Sequence, residues 1–125
     1  MTTDAEDEPP EDELWAIDMV LDQLADKWAL RILCAYYPDM APIRFNELKR
    51  RVGGISQKIL SQQLRKLERS GLLERRVLPG RLLGVEYAIT PLGHTLQEPI
   101  SALYKWAEAH AGDVRAAQAS FQADA

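Results

Sequence analysis

The sequence predicts a mainly α-helical fold with a small β component, and three observations predict it. Apolar residues recur at helical spacing around Leu14–Leu24, Leu60–Leu67 and Leu92–Ala107. Residues that start and stop helices bracket the helical stretches: Asp26, Asn46, Ser56 and Thr90 as caps, Gly53-Gly54 and Ser70-Gly71 as stops. One strand-type alternation, Val85, Tyr87 and Ile89 with Glu86 and Ala88 between, follows the run Leu73–Leu78 across a Pro79-Gly80 turn. At 125 residues the chain suits one domain with one core.

In chain order, residues 1–13 carry seven acids and two prolines and no base, a composition that predicts a disordered acidic tail. A first helix is expected from about Leu14 to Leu24, with Ile17, Val20, Leu21 and Leu24 on one side. Asp26 caps a second from Lys27 to about Tyr37, with Trp28, Leu30, Leu33 and Cys34 as its inner face. Pro38, Asp39 and Pro42 end it. Ile43-Arg44-Phe45 is a stub of strand, Asn46 caps a third helix ending near Val52, and Ser56 caps a fourth. Two strands then flank residues 79–84. Thr90 caps a final helix with Pro91 at its first position, reaching about His110. The folded unit is thus residues 14–112, with residues 113–125 as a C-terminal tail.

The net charge of −4 speaks against a nucleic-acid partner, but its distribution reverses that. Residues 44–81 hold eleven of the fifteen basic residues and only three acids, Glu47, Glu68 and Glu74, for a local +8 against −12 elsewhere. On a helical wheel Leu60, Leu64 and Leu67 of the fourth helix fall together, and Lys58, Ser61, Gln62, Arg65 and Arg69 fall opposite, with Gln57 flanking them near the N-terminus. That outer face has no acid and no large apolar group. Its donors are of the types that read base edges and grip phosphates. By length and chemistry, Arg65 and Gln62 suit guanine and adenine, Ser61 a close base or phosphate, and Lys58 and Arg69 phosphates. Asn46 and Lys49 are candidate phosphate contacts.

Helices joined by short turns and followed at once by a basic two-stranded hairpin describe a winged helix-turn-helix. Arg75 and Arg76 lie on the hairpin's first strand, Arg76 as a candidate DNA contact and its neighbour as an ordinary exposed strand residue, and Arg81 lies at its tip, a candidate for the minor groove. These residues together resemble the HxlR family of bacterial and archaeal winged-helix regulators, relatives of the MarR group. The resemblance runs through Asp26-Lys27-Trp28, Arg44-Phe45-Asn46-Glu47-Leu48, Ile55–Ser61, Leu64–Glu68 with Ser70-Gly71-Leu72, Val85-Glu86-Tyr87 and Thr90-Pro91-Leu92-Gly93. It implies a homodimer, built from the first and last helices, on a pseudo-palindromic operator. It also implies that Ser56, Gln57, Lys58, Ser61 and Arg65 belong to the DNA-reading helix. The chain departs from the family in three places. Trp15-Ala16 stand where many members have Cys-Pro, Gly84 stands where an arginine often precedes Val-Glu-Tyr, and Pro99 is shifted by one residue.

The last helix places Leu92, Leu96, Ile100, Leu103 and Ala107 on one stripe with Trp106 beside it, more apolar surface than one small core needs. With Trp15 and the pair Tyr36-Tyr37 it forms the expected dimer surface, Leu96, Ile100, Leu103 and Trp106 at its centre. A pocket there is a site for a small-molecule effector. The single Cys34 excludes an internal disulfide and reads as an inert core thiol. His94 and His110 are too far apart to share a metal, and no nucleophile–base–acid set is present, so neither cofactor nor catalysis is expected. No apolar run is long enough to cross a bilayer, which with the acidic N-terminus predicts a cytoplasmic protein. Three function classes follow: a DNA-binding transcription regulator, most simply a repressor; a winged-helix module for protein–protein contact; and an enzyme or carrier. The polar outer face of the fourth helix favours the first over the second, since a protein-docking face would carry aromatic or apolar anchors.

Overall fold

The computed structural model describes residues 11–124. In chain order the elements are α1 (Glu11–Leu24), α2 (Lys27–Tyr36), β1 (Ile43–Arg44), α3 (Phe45–Val52) and α4 (Gln57–Arg69). Then come β2 (Leu73–Val77), a 3-10 turn at Gly80–Leu82, β3 (Val85–Ile89), α5 (Pro91–His94) and α6 (Gln97–Asp124). The architecture is the winged helix-turn-helix the sequence predicts, with one change in the sheet. It has three strands in the order β1-β3-β2, all antiparallel, because β1 adds Ile43 opposite Tyr87 and Arg44 opposite Glu86. The hairpin register pairs Leu73 with Ile89, Arg75 with Tyr87 and Val77 with Val85.

The expected tail at residues 1–13 lies mostly outside the described residues. Glu11, Asp12 and Glu13, however, form the first turn of α1, where carboxylates favour the positive end of the helix dipole. The caps behave mostly as their chemistry dictates. Asp26 accepts from the Trp28 amide at 2.8 Å, Ser56 from Ile59 at 3.1 Å and Thr90 from Gly93 at 3.0 Å. Asn46 is a correction: α3 starts one residue before it, at Phe45, after an extended Arg44 that makes no side-chain cap. Gly53 closes α3 at φ 72, a conformation that favours glycine.

The core lies where α2, α3 and α4 meet the sheet. Ile32, Leu33, Tyr36, Leu48, Leu60, Leu64, Leu67 and Leu73 are its most deeply buried side chains. The inner face of α2 is therefore rotated from the expected one: Ala29, Ile32, Leu33 and Tyr36 are buried, while Trp28, Leu30 and Cys34 are half-buried. Trp28 sits instead beneath the cations of Lys27 and Arg31, 4.9 and 5.3 Å from its ring. The expected partner surface at Tyr36-Tyr37 is corrected too. Both rings are buried in their own protomer, and their hydroxyls donate to the carbonyls of Tyr87 (2.8 Å) and Gly93 (3.2 Å). Gly93 allows α5 to lie on the start of β2, since a Cβ there would come within 2.4 Å of the Leu72 carbonyl oxygen.

The last helix is broken and longer than expected. Pro91–His94 form a separate turn, and α6 begins only at Gln97, with Pro99 in its first turn, where a proline's missing amide leaves no helical hydrogen bond unmade. Beyond His110 the helix does not give way to a tail but continues to Asp124, through alanine, glutamine and arginine, which are strong helix formers. At 28 residues it spans about 42 Å. Ile100, 4% exposed, belongs to the protomer's own core and so leaves the expected dimer surface.

Candidate nucleic-acid interface

The position of α4 is fixed from both sides of its axis. Leu60, Leu64 and Leu67 bury one face, and Gln63, buried beside them, donates from Nε2 to Asp26 Oδ2 at 2.9 Å. Asp26 thus caps α2 with one carboxylate oxygen and holds α4 with the other. At the far end Ser70 Oγ hydrogen-bonds Gln23 of α1. Sequence periodicity alone gives Gln63 no partner; the coincidence of a cap carboxylate with an inward amide is visible only in three dimensions.

With that face buried, Gln57, Lys58, Ser61, Gln62, Arg65 and Arg69 all lie exposed along the other side of α4, and Ser56 is exposed at its N-terminus. Asn46 and Lys49 are exposed on the adjoining α3. Of the eleven basic residues between 44 and 81, Arg50 and Arg51 clamp Glu47 at 2.5 and 3.1 Å, and Arg76 bridges Glu74 at 3.4 Å. Hydrogen bonds from Arg50 and then Arg51 hold the Glu47 carboxyl below its ordinary range. Among the described residues the other eight have no acid within 4 Å: Arg44, Lys49, Lys58, Arg65, Lys66, Arg69, Arg75 and Arg81. The positive field over α4 and the wing is therefore not neutralised locally.

A cleft of about 410 Å³ separates α4 from the wing and brings several of these groups together. It is lined by Asn46, Gln57, Ser61, Arg44, Phe45, Arg75, Tyr87 and the wing residues Leu83, Gly84 and Val85. Arg75 and Arg44 are additions to the expected site. Strand alternation sends Arg75 to the α4 side of the hairpin and Arg76 to the side shared with its partner Glu74 and with Glu86 opposite. This corrects the sequence reading, which favours Arg76 of the pair: the strand's phase brings Arg75 to the cleft and turns Arg76 to Glu74. Arg81, at the 3-10 turn of the wing tip, and Lys58, Gln62, Arg65 and Arg69 lie outside this cleft.

A second surface has the opposite character. No residue of α1 is buried, and Leu14, Trp15, Ile17, Val20 and Leu21 are exposed, Trp15 at 68%. On α6, Leu103 and Trp106 are exposed, and Leu96, just before it, is half-buried. Between α1 and α5–α6 lies an almost wholly apolar cleft of about 230 Å³, lined by Val20, Leu24, Leu72, Leu92, Leu96 and their neighbours. Cys34 is half-buried against Tyr104 of α6, and burial pushes its thiol up from the ordinary value, away from the reactive thiolate. Among the described residues no cluster of His, Cys, Asp or Glu has the makings of a metal site, and no helix is long and apolar enough to cross a membrane.

Comparison with known proteins agrees with this geometry. Residues 23–114 match the model of a family described as HxlR-like helix-turn-helix. The chain is 38% identical to the HTH-type transcriptional regulator YtfH of Escherichia coli over 97 residues, 78% of this chain and 75% of that one. It is 33% identical to an HTH-type transcriptional regulator of Methanothermobacter thermautotrophicus, over 74% of this chain and 70% of the relative. Among solved structures, a ytfH transcriptional regulator from Salmonella typhimurium superposes with a TM-score of 0.70 at 36% identity, over 81% of this chain and 88% of that one. The reduced form of the transcriptional regulator YodB from B. subtilis does so with a TM-score of 0.65 at 30% identity, over 74% and 89%.

Proposed function

We propose, from the premise that this chain belongs to the HxlR-like helix-turn-helix family of transcriptional regulators, that it acts in the cytoplasm as a homodimer gripping a pseudo-palindromic operator and represses the genes beside it. One observation carries the reading. The outer face of α4 presents Gln57, Lys58, Ser61, Gln62 and Arg65 together, with no acid among them, while its other face is fully committed to the core.

In this reading the N-terminal half of α4 enters the major groove, where Arg65 and Gln62 offer paired donors to base edges. Lys58, Arg69, Lys49 and Asn46 hold the flanking phosphates, and the cleft beside α4 admits the strand that separates major from minor groove. Ser56 keeps the helix N-terminus in register by capping it. Arg81 sits at the wing tip and Arg75 in the cleft; Arg76 contributes less because Glu74 holds it. The second subunit docks on the apolar surface of α1 and α6, around Trp15, Leu96, Leu103 and Trp106. Two exposed tryptophans beside a row of bare aliphatic side chains favour burial against a partner. The apolar cleft at its margin is the place for a small-molecule effector, whose binding there would shift α1 against the end of α4 through the Gln23–Ser70 contact.

The test pairs two measurements on the purified chain. Sedimentation equilibrium at micromolar concentration should give twice the chain mass. Duplexes selected from the protein's own genomic neighbourhood should bind with an affinity that falls steeply with salt, by roughly 0.9 logarithmic units per logarithmic unit of salt for each phosphate gripped. A strict monomer refutes the dimer, and salt-insensitive binding or none refutes the DNA reading.

A further inference from the structure

The wing tip has a chemistry that neither the basic ridge nor the dimer surface explains. Leu82 and Leu83 stand side by side at the end of the hairpin, 58% and 76% exposed, with Val77 also bare beneath them. Among the described residues nothing covers them. The loop is nevertheless held in one shape: the Leu78 amide donates to the Gly84 carbonyl at 2.9 Å, and Leu82 donates to Pro79 at 3.3 Å. Leu83 has φ +33, in the left-handed region, which a branched aliphatic residue rarely occupies. A fold that tolerates such a residue there, with Gly80 and Gly84 at hand on either side, keeps a bulky side chain at a chosen spot.

The surroundings say what that spot faces. Leu83 lines the same cleft as Gln57 and Ser61 of α4, so it looks across at the base-reading helix. Arg75 in the cleft and Arg81 at the tip flank the pair of leucines, and neither has an acid within 4 Å among the described residues. An apolar pair framed by unneutralised guanidinium groups suits a polyanion with an apolar recess. The minor groove of duplex DNA, with phosphate walls and sugar faces, is such a surface.

From this, and resting on the DNA-binding reading above, we infer that Leu82 and Leu83 form an apolar minor-groove reader that selects A·T pairs beside each half-site. The selection is by exclusion. A G·C pair carries the guanine N2 amine on the groove floor, and an isobutyl group pressed there strips water from that donor without replacing it. An A·T pair has no such donor, and its groove is narrower, which brings the sugar walls closer to the leucines.

The experiment uses the full chain on operator duplexes in which the pairs flanking the half-site are A·T, G·C or inosine·C. Inosine·C keeps the major-groove edge of G·C but lacks the minor-groove amine. The wild type should bind the G·C duplex about tenfold more weakly than the A·T duplex, and inosine·C should restore most of that loss. The double variant Leu82→Ala, Leu83→Ala should bind all three within about twofold of one another, with unchanged thermal unfolding because both side chains are exposed. Leu83→Gly should lose most of the discrimination while matching or exceeding the wild type in stability, since glycine accepts the positive φ. Binding that ignores the flanking pairs, or a double variant that keeps the full pattern, overturns the inference alone. A wild type that binds no duplex at all overturns the regulatory reading and this inference with it.

Discussion

α4 and α1 are both amphipathic helices of similar length, 13 and 14 residues, but the domain treats them in opposite ways. The apolar side of α4 is buried and its polar side faces water. The apolar side of α1 faces water too, and not one of its residues is buried. Hydrophobicity alone does not separate the two. What separates them is the company: α4 is closed over by α2 and β2, whereas α1 packs mainly on α2, with one side-chain hydrogen bond, Ser70 to Gln23, near its end. A helix satisfied within its own chain frees its polar face for a ligand. A helix left unsatisfied keeps its apolar face open, and the proposed reading seats the second subunit there.

The sharpest way to break this contrast is to truncate one leucine from each helix. Leu64→Ala opens a cavity at a fully buried position and should cost about 2–5 kcal/mol in denaturant unfolding. Leu21→Ala removes a side chain that is exposed in the protomer. It should leave unfolding at low protein concentration within about 0.5 kcal/mol of wild type while weakening self-association. Equal, concentration-independent losses for both would mean that α1 is not a docking surface.

The fold was legible in the sequence wherever a local rule decided it. Ser56, Asp26 and Thr90 cap the helices expected of them, and the leucines of α4 point where the wheel puts them. It was illegible where a distant partner decided it. The phase of α2 depends on Tyr36 reaching the Tyr87 carbonyl, 51 residues away, and on Trp28 lying under two cations instead of in the core. β1 is a strand only because β3 lies beside it. The end of α6 is illegible for another reason: its alanine-rich last turns carry helix propensity but no apolar stripe against the domain. For the interface, the face of α4 could be read from spacing, while the choice between Arg75 and Arg76 needed the register of a strand with two exposed sides.

The buried tyrosines give a smaller effect that sharpens the same contrast, because they were expected on the partner surface and instead tie α2 to the sheet and to α5. Burial pushes the Tyr37 hydroxyl up to about 12, and Tyr36 is raised further by the same cause. A group with its folded value raised holds its proton longer when folded than when unfolded, so the stability it contributes is complete below pH 10 and is lost as pH climbs toward 12. Thermal unfolding followed from pH 8 to pH 12 should show a falling melting temperature above pH 10. At about 1.4 kcal/mol per pH unit, Tyr37 alone amounts to roughly 3 kcal/mol between pH 10 and pH 12. Tyr37→Phe should remove its share of the slope. A flat profile would place these hydroxyls in water, at a surface.

The smallest effect separates two neighbours. Arg75 and Arg76 are adjacent on one strand, and both are exposed. Arg75 lines the cleft facing α4; Arg76 turns to the other side and bridges Glu74 at 3.4 Å. A cation already paired brings less net charge to a phosphate, and one on the far side of the hairpin has no phosphate to meet. Arg75→Ala should therefore weaken operator binding by about fivefold to tenfold and lower the salt slope by about one contact. Arg76→Ala should change affinity by less than about twofold and leave the slope alone. Glu74→Ala sharpens the comparison further: if pairing is what silences Arg76, releasing it should strengthen binding slightly at low salt, and if geometry alone silences it, nothing should change. Larger losses from Arg76→Ala than from Arg75→Ala would mean that DNA lies on the far side of the hairpin, and the cleft between α4 and the wing would not be where a strand passes.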